Sequence, residues 1–155
     1  EYDPAGRMIA RVDFAGRRTT YQYDRLGQVV RRVYPDGTNA QFTYSATGRR
    51  VTATDARGVT TYAYDGRDRL LSKTDPTGHR VEYGYDAGGR RTSLAARVGT
   101  TVRTTGYGYD AAGQMTSVTD PEGRTFAMEY DDAGNPSRLE RPNGVDTTWA
   151  HDARN

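Results

Sequence analysis

Two pairs of close carboxylates, Asp131–Asp132 and Asp65 with Asp68, and two histidines, His79 and His151, are the residues that could do chemistry. Paired carboxylates can share a proton, which raises one pKa towards that of a general acid. The recurrent Asp-x-x-Gly invites a calcium reading. A row of tyrosines with one tryptophan, near Arg, Thr and Asp, could stack on sugar rings and bind their hydroxyls. Each reading meets a structural competitor. Asp at the first position of a turn accounts for nearly all the carboxylates; His79 follows a turn glycine, and His151 stands where an aromatic recurs. HExxH and other three-ligand metal spacings are absent, as are G-x-S-x-G and the phosphate loop GxxxxGK[ST]. The Gly-Asp nonapeptide of calcium-binding rolls has a period less than half the one found here. No catalytic residue, cofactor or metal is therefore expected.

The competitor is a repeat. Tyr-Asp pairs begin at Tyr2, Tyr23, Tyr64, Tyr85, Tyr109 and Tyr130, with Tyr44-Ser45 and His151-Asp152 in the remaining places. The intervals are 21, 21, 20, 21, 24, 21 and 21 residues. Four residues after these starts come Gly6, Gly27, Gly48, Gly89, Gly113 and Gly134, with Asp68 replacing glycine once. Ten residues further lie Gly16, Gly37, Gly58, Gly78, Gly99, Gly123 and Gly144. Asp-x-x-Gly occurs nine times, where composition alone would give roughly two. Residues 1–155 thus form a single array of seven repeats. The chain starts at Glu1 with no signal peptide, so it is expected to be truncated at both ends.

Each Asp-x-x-Gly is a turn written in side chains. Asp can accept backbone N–H groups just ahead of it, and the fourth residue, glycine, tolerates a left-handed backbone. Pro at the second position presets φ; all prolines but Pro136 sit there. A type I turn followed by a left-handed glycine is a common hairpin connection. Six or seven residues separate the turns, a typical strand length. Aromatic residues alternate on the segments that end at the Tyr-Asp pair: Tyr21/Tyr23, Phe42/Tyr44, Tyr62/Tyr64, Tyr83/Tyr85, Tyr107/Tyr109, Phe126/Met128/Tyr130 and Trp149/His151. This spacing of two predicts strands with one aromatic face, a ladder that stabilises the sheet by stacking. The intervening segments, such as GQVVRRVY (27–34), are β-branched but alternate poorly. Helix is excluded by glycine about every ten residues, each costing about 1 kcal/mol in a helix. The 20- and 24-residue intervals change length between Gly58 and Tyr64 and between Gly99 and Tyr109, where a loop or bulge is expected.

The fold class is accordingly all-β: tandem antiparallel hairpins forming one continuous curled strip of about fourteen strands. Open sheets that wide curl or split, so the strip either wraps around something or belongs to a larger shell. Its two raw edges invite edge-to-edge self-association.

Composition agrees. Leu, Ile, Val and Phe number only 20 of 155 residues, but 22 basic side chains nearly cancel 20 acidic ones. Disorder requires a larger net charge than this. With Leu, Ile, Val and Phe so scarce, the rings are needed for stability, and carbohydrate binding stays the rival reading of the aromatic row. No apolar run approaches a membrane span, no cysteine is available for disulfides, and Arg alternates with Asp and Glu, which argues against nucleic acid.

The unit YDAAGQMTSVTDPEGRTFAMEYDDAGN (109–135) resembles the YD repeat of the RHS (rearrangement-hotspot) family, as do YDRLGQVV (23–30), DPTGHRVEYGYD (75–86) and RPNGVDTTWAHD (141–152). The resemblance covers the whole chain; Ser45, Asp68, the stretch AARVG (95–99) and His151 depart from the pattern. It implies a β-strip spiralling into a hollow cocoon around a C-terminal toxin, with the other shell repeats and that toxin as partners and delivery by a bacterial secretion system. The alternative it offers is a cell-surface adhesion or carbohydrate-binding module, as in teneurins. The self-cleavage motif DPxGL of such toxins is not matched, since His79 and Arg124 follow the two DPxG turns.

Overall fold

The computed structural model describes residues 1–151; Asp152 of the last Tyr-Asp-like pair lies outside them. Fourteen strands follow one another in chain order in an antiparallel sheet without a crossover, and no helix forms among the described residues. The chain divides into two compact units, residues 1–80 and residues 81 onward.

In the first unit, β1 (Ala10–Val12), β2 (Arg18–Tyr23), β3 (Val29–Val33), β4 (Asn39–Tyr44), β5 (Arg50–Asp55), β6 (Gly58–Tyr64) and β7 (Leu70–Thr74) each pair with the next. The second holds β8 (Arg80–Tyr85, starting at the boundary), β9 (Arg91–Val98), β10 (Thr101–Tyr109), β11 (Met115–Thr119), β12 (Thr125–Tyr130), β13 (Pro136–Glu140) and β14 (Asp146–Thr148). From β9 onward each of these again pairs with its successor. The poorly alternating segments are therefore strands too: β3, β5, β7, β9, β11 and β13.

Most hairpins share one corner. The first turn residue accepts the N–H of the fourth and donates its own N–H to the carbonyl of the fifth: Gly6 N to Asp3 O is 2.9 Å and Asp3 N to Arg7 O is 2.9 Å. This is a type I turn closed by a left-handed residue. Asp68 keeps the same two bonds, each 3.0 Å, at φ 61°.

The two length variants are absorbed without a loop or bulge at their tips. The longer repeat extends both β9 and β10, which stay in register from Gly106↔Ser93 to Thr101↔Val98. Gly99 sits first in the resulting two-residue connection, at φ 57°, the place where a II′ turn requires glycine. The shorter repeat closes β5 onto β6 with Asp55 directly opposite Gly58. Bulges do occur elsewhere, at the Tyr-Asp end of the strands, as the register shifts at Gln22/Tyr23, Thr43/Tyr44, Ala63/Tyr64, Gly108/Tyr109 and Glu129/Tyr130 show.

No large side chain is fully buried; only Ala10, Ala40 and Ser72 fall in the buried class among the described residues. The exposed area, 10580 Å², compares with about 7,800 Å² for a compact protein of this mass. Stability must come from cross-strand pairs and from the turns. One sheet face carries the half-buried rings, with Gly58, Thr60, Tyr62 and Tyr64 half-buried along β6 while Val59, Thr61 and Ala63 are exposed. On that other face Thr43, Thr52, Thr61 and Thr74 pair in sequence across four strands.

Candidate functional site

The repeated chemistry lies at the corners, where an aspartate does three things at once. Asp3 Oδ1 accepts the N–H of Ala5 at 3.0 Å and of Arg7 at 2.9 Å, while its Oδ2 takes the Arg7 Nε at 2.7 Å. Asp13 does the same with Ala15 and Arg17, and Asp120 with Glu122 and Arg124. A carboxylate that accepts two amides and a guanidinium is held in its charged form. The Arg7 amide, then its guanidinium, lowers the pKa of Asp3 below the usual carboxylate value against the desolvation that opposes it. At Asp86 the Arg90 side chain is the larger cause and the Arg90 amide the second. Three of these four-residue corners lack Asp in first place: at Ser45–Gly48 the Ser45 Oγ accepts the Arg49 N–H at 3.1 Å, and at Tyr34–Gly37 and Arg141–Gly144 the third residue substitutes. Asp36 accepts the Thr38 N–H at 3.0 Å, and Asn143 the Val145 N–H at 3.1 Å.

The residue after the turn glycine then joins one repeat to the next. Arg7 lies 5.2 Å from the Tyr23 ring centre and donates to the Asp24 carbonyl at 3.3 Å. Arg90 repeats this on Tyr109, at 5.0 Å, and on the Asp110 carbonyl, at 3.0 Å. Where glutamine replaces arginine, Gln28 donates to Gly48 O at 3.3 Å and Gln114 to Gly134 O at 3.2 Å. Arg49 reaches Asp68 Oδ2 at 3.7 Å. These linking residues belong neither to the glycine set nor to the aromatic row. Their signal in the sequence was a polar side chain recurring beside each first-register glycine.

The Tyr-Asp tyrosines supply the second link. Tyr23 donates its hydroxyl to Met8 O at 2.7 Å, Tyr44 to Val29 O at 2.7 Å and Tyr64 to Arg50 O at 3.0 Å. Tyr109 and Tyr130 do so to Arg91 O and Met115 O, at 2.9 and 2.8 Å. Every acceptor is the sixth residue after the preceding Tyr of the series. His151 fills the same role through Nε2, 2.8 Å from Pro136 O. Val29, Arg50, Met115 and Pro136 each pair with the Tyr six places before them at a bulge, so there the hydroxyl or imidazole covers a carbonyl where the ladder is interrupted.

All thirteen glycines of the two registers have positive φ, from 57° at Gly99 to 124° at Gly58. The remaining rings, Tyr21, Tyr62, Tyr83, Tyr107 and Trp149, occupy the place two residues before the Tyr-Asp tyrosine. Guanidinium groups lie over several of them: Arg32 over Tyr21 at 5.4 Å, and Arg91 over both Tyr83 and Tyr107 at 5.7 Å.

The carboxylate pairs do not converge. Asp65 and Asp131 cap their own turns, and Asp68 accepts the Thr47 hydroxyl at 2.7 Å. His79 Nδ1 is 3.4 Å from the turn carboxylate of Asp75. Among the described residues no three His, Cys, Asp or Glu side chains group as metal ligands.

Solved structures share this fold. Crystal structures of TcdB2-TccC3-Cdc42 and of TcdB2-TccC3 without its hypervariable C-terminal region superpose with TM-scores of 0.78, at 21% and 20% identity, over 96% of this chain and 9% of theirs. TcdB2-TccC3-TEV gives 0.76 at 21% identity over the same shares. Double-stranded DNA deaminase toxin A of Burkholderia cenocepacia (strain H111) is 44% identical over 54 residues, which is 35% of this chain and 4% of that toxin. The chain therefore spans only a small part of each relative. The RHS Repeat family model matches residues 2–39, 27–61, 44–80, 64–101 and 94–125. By that coverage, and by corners and tyrosine links that recur with the same period, this chain belongs to the RHS repeat family.

Proposed function

We propose that the chain is a wall segment of a non-catalytic shell, carried by a secreted toxin-type protein, that encloses and shields a C-terminal cargo domain. The observation that carries this is what the repeating residues do where the sequence is most regular: among the described residues the repeating Asp and Gly build the corners, and Tyr23, Tyr44, Tyr64, Tyr109 and Tyr130 tie one hairpin to the next. A sheet of this kind grows by adding repeats without needing a core of its own, which is what a container wall requires. The local likeness to a deaminase toxin supports a toxin-type parent. The test is proteinase K digestion of a longer natural protein that carries these repeats with a C-terminal domain. That domain should resist protease concentrations that destroy it when it is expressed alone; equal digestion rates would refute the enclosure.

A further inference from the structure

We infer that the aromatic face of residues 1–80 is a docking surface for an extended, acidic polypeptide. This deepens the enclosure proposed above, because it names the surface and the chemistry of the chain that would lie against it.

The argument rests on where the charges go. The strands β1 to β7 contain a single carboxylate, Asp55, and Arg57 holds it at 2.7 Å. All other acidic residues of this unit except Glu1 are in the corners. Arginines at the corners are paired: Arg7 with Asp3, Arg17 with Asp13, Arg57 with Asp55. The cations of the aromatic face are not. Arg32 pairs across the sheet with Tyr21 and Arg11 with Thr19, Lys73 lies opposite Tyr62, and Arg50 stands 4.5 Å from the Phe42 ring centre. None of these four has a carboxylate partner among the described residues. The buried Nε of Arg32 has no hydrogen-bond partner, and neither has that of Arg31 on the opposite face, so it is their place on the aromatic face and not an orphaned Nε that sets these four apart. A guanidinium stacked on a ring uses its face and leaves its N–H edge for an oxyanion. The surface thus offers alternating rings and unsatisfied cations along a sheet.

A polypeptide fits this surface better than a nucleic acid. Carboxylate-bearing corners line both edges of the unit, with Asp3, Asp24 and Asp65 on one side and Asp13, Asp36 and Asp75 on the other. A uniform polyphosphate would run against these borders, whereas a chain with separated Glu and Asp side chains places its charges only over the central cations.

Fluorescence anisotropy of the 155-residue chain with a labelled Glu-Gly-Ser repeat peptide, its Lys-Gly-Ser counterpart and single-stranded oligothymidylate tests this. The acidic peptide should bind, more weakly as salt rises, and the lysine peptide should not. Arg11→Gln with Lys73→Gln, both exposed and without ring contacts, should weaken binding by about tenfold while leaving the melting temperature unchanged. Arg31→Gln should do nothing, because Arg31 pairs with Gln22 and Gln41 on the opposite face. The inference is overturned by no binding of the acidic peptide, by equal loss in Arg31→Gln, or by tighter binding of the oligonucleotide. Cargo protected from protease without peptide binding would sink this inference alone; peptide binding without protection would sink the enclosure alone.

Discussion

Gly58 should be the costliest of the thirteen turn glycines to replace. Its φ is 124°, and a Cβ added there would lie 2.9 Å from Pro76 Cβ, a ring carbon that cannot rotate away. Gly123 has φ 82° with nothing within 4 Å of the same added atom. Replacing Gly123 by alanine meets only the left-handed penalty, about 1–2 kcal/mol. Gly58→Ala meets a backbone region almost closed to other residues, at about 1–3 kcal/mol, together with overpacking of about 1–2 kcal/mol. The expected difference between the two is therefore about 2 kcal/mol, which for a chain of this size is a shift of ~4–8 °C in Tm. Circular dichroism melts measure it, and Pro76→Gly, which removes the Cβ that the new methyl would meet, provides the internal control. Measured against its own effect in the native chain, Pro76→Gly should recover the overpacking share in the Gly58→Ala background and recover nothing in Gly123→Ala. Equal melting shifts for the two alanines, or equal rescue of both by Pro76→Gly, would refute the assignment of a steric contact between these corners.

Other outcomes follow from the links between repeats. Tyr44→Phe should lower stability by about 1 kcal/mol because the Val29 carbonyl loses its donor, whereas Tyr21→Phe should be nearly silent in the same melt. Arg90→Lys gives up the paired geometry on Asp86, the Asp110 carbonyl and the Tyr109 ring; it should destabilise by about 1 kcal/mol, against little change for Arg17→Lys, which links to its own turn only. The pKa values of Asp3, Asp13, Asp65, Asp75 and Asp86 are lowered in the folded chain. Their stabilisation is fully present above the ordinary carboxylate value and is lost as pH falls through the lowered ones. Urea midpoints should thus be flat from neutral pH down to about 5 and drop below about 4, with a shallower drop in Asp13→Asn.

The corners and the strand order were legible because each depends on local chemistry. Asp, Pro and Gly specify a hairpin within four residues, and the period of about 21 residues repeats that instruction. Two features were not legible. The side chains that join neighbouring repeats act over 14 to 21 residues, and nothing local tells Arg7 that a carbonyl of the next corner lies beside it. The separation of charges was also hidden. Arg alternates with Asp along the chain, but in residues 1–80 the fold sends every carboxylate except those of Glu1 and Asp55 to the corners, and leaves Arg11, Arg32 and Arg50 on the aromatic face without a carboxylate partner among the described residues. The longer repeat shows a third limit: three extra residues fit a bulge and a longer hairpin equally well by count. The choice falls to Gly99, which permits a two-residue corner and lets every added residue join the ladder.

The chain has no cysteine, so single thiols can report which sheet face is enclosed. Thr60→Cys places one on the aromatic face and Thr61→Cys one on the opposite face. In the isolated chain both should react with a bulky polyethylene-glycol maleimide. In a longer protein that carries the repeats with their C-terminal cargo, position 60 should be protected and position 61 should react at its unchanged rate. Equal labelling of both positions in that protein would contradict the shell.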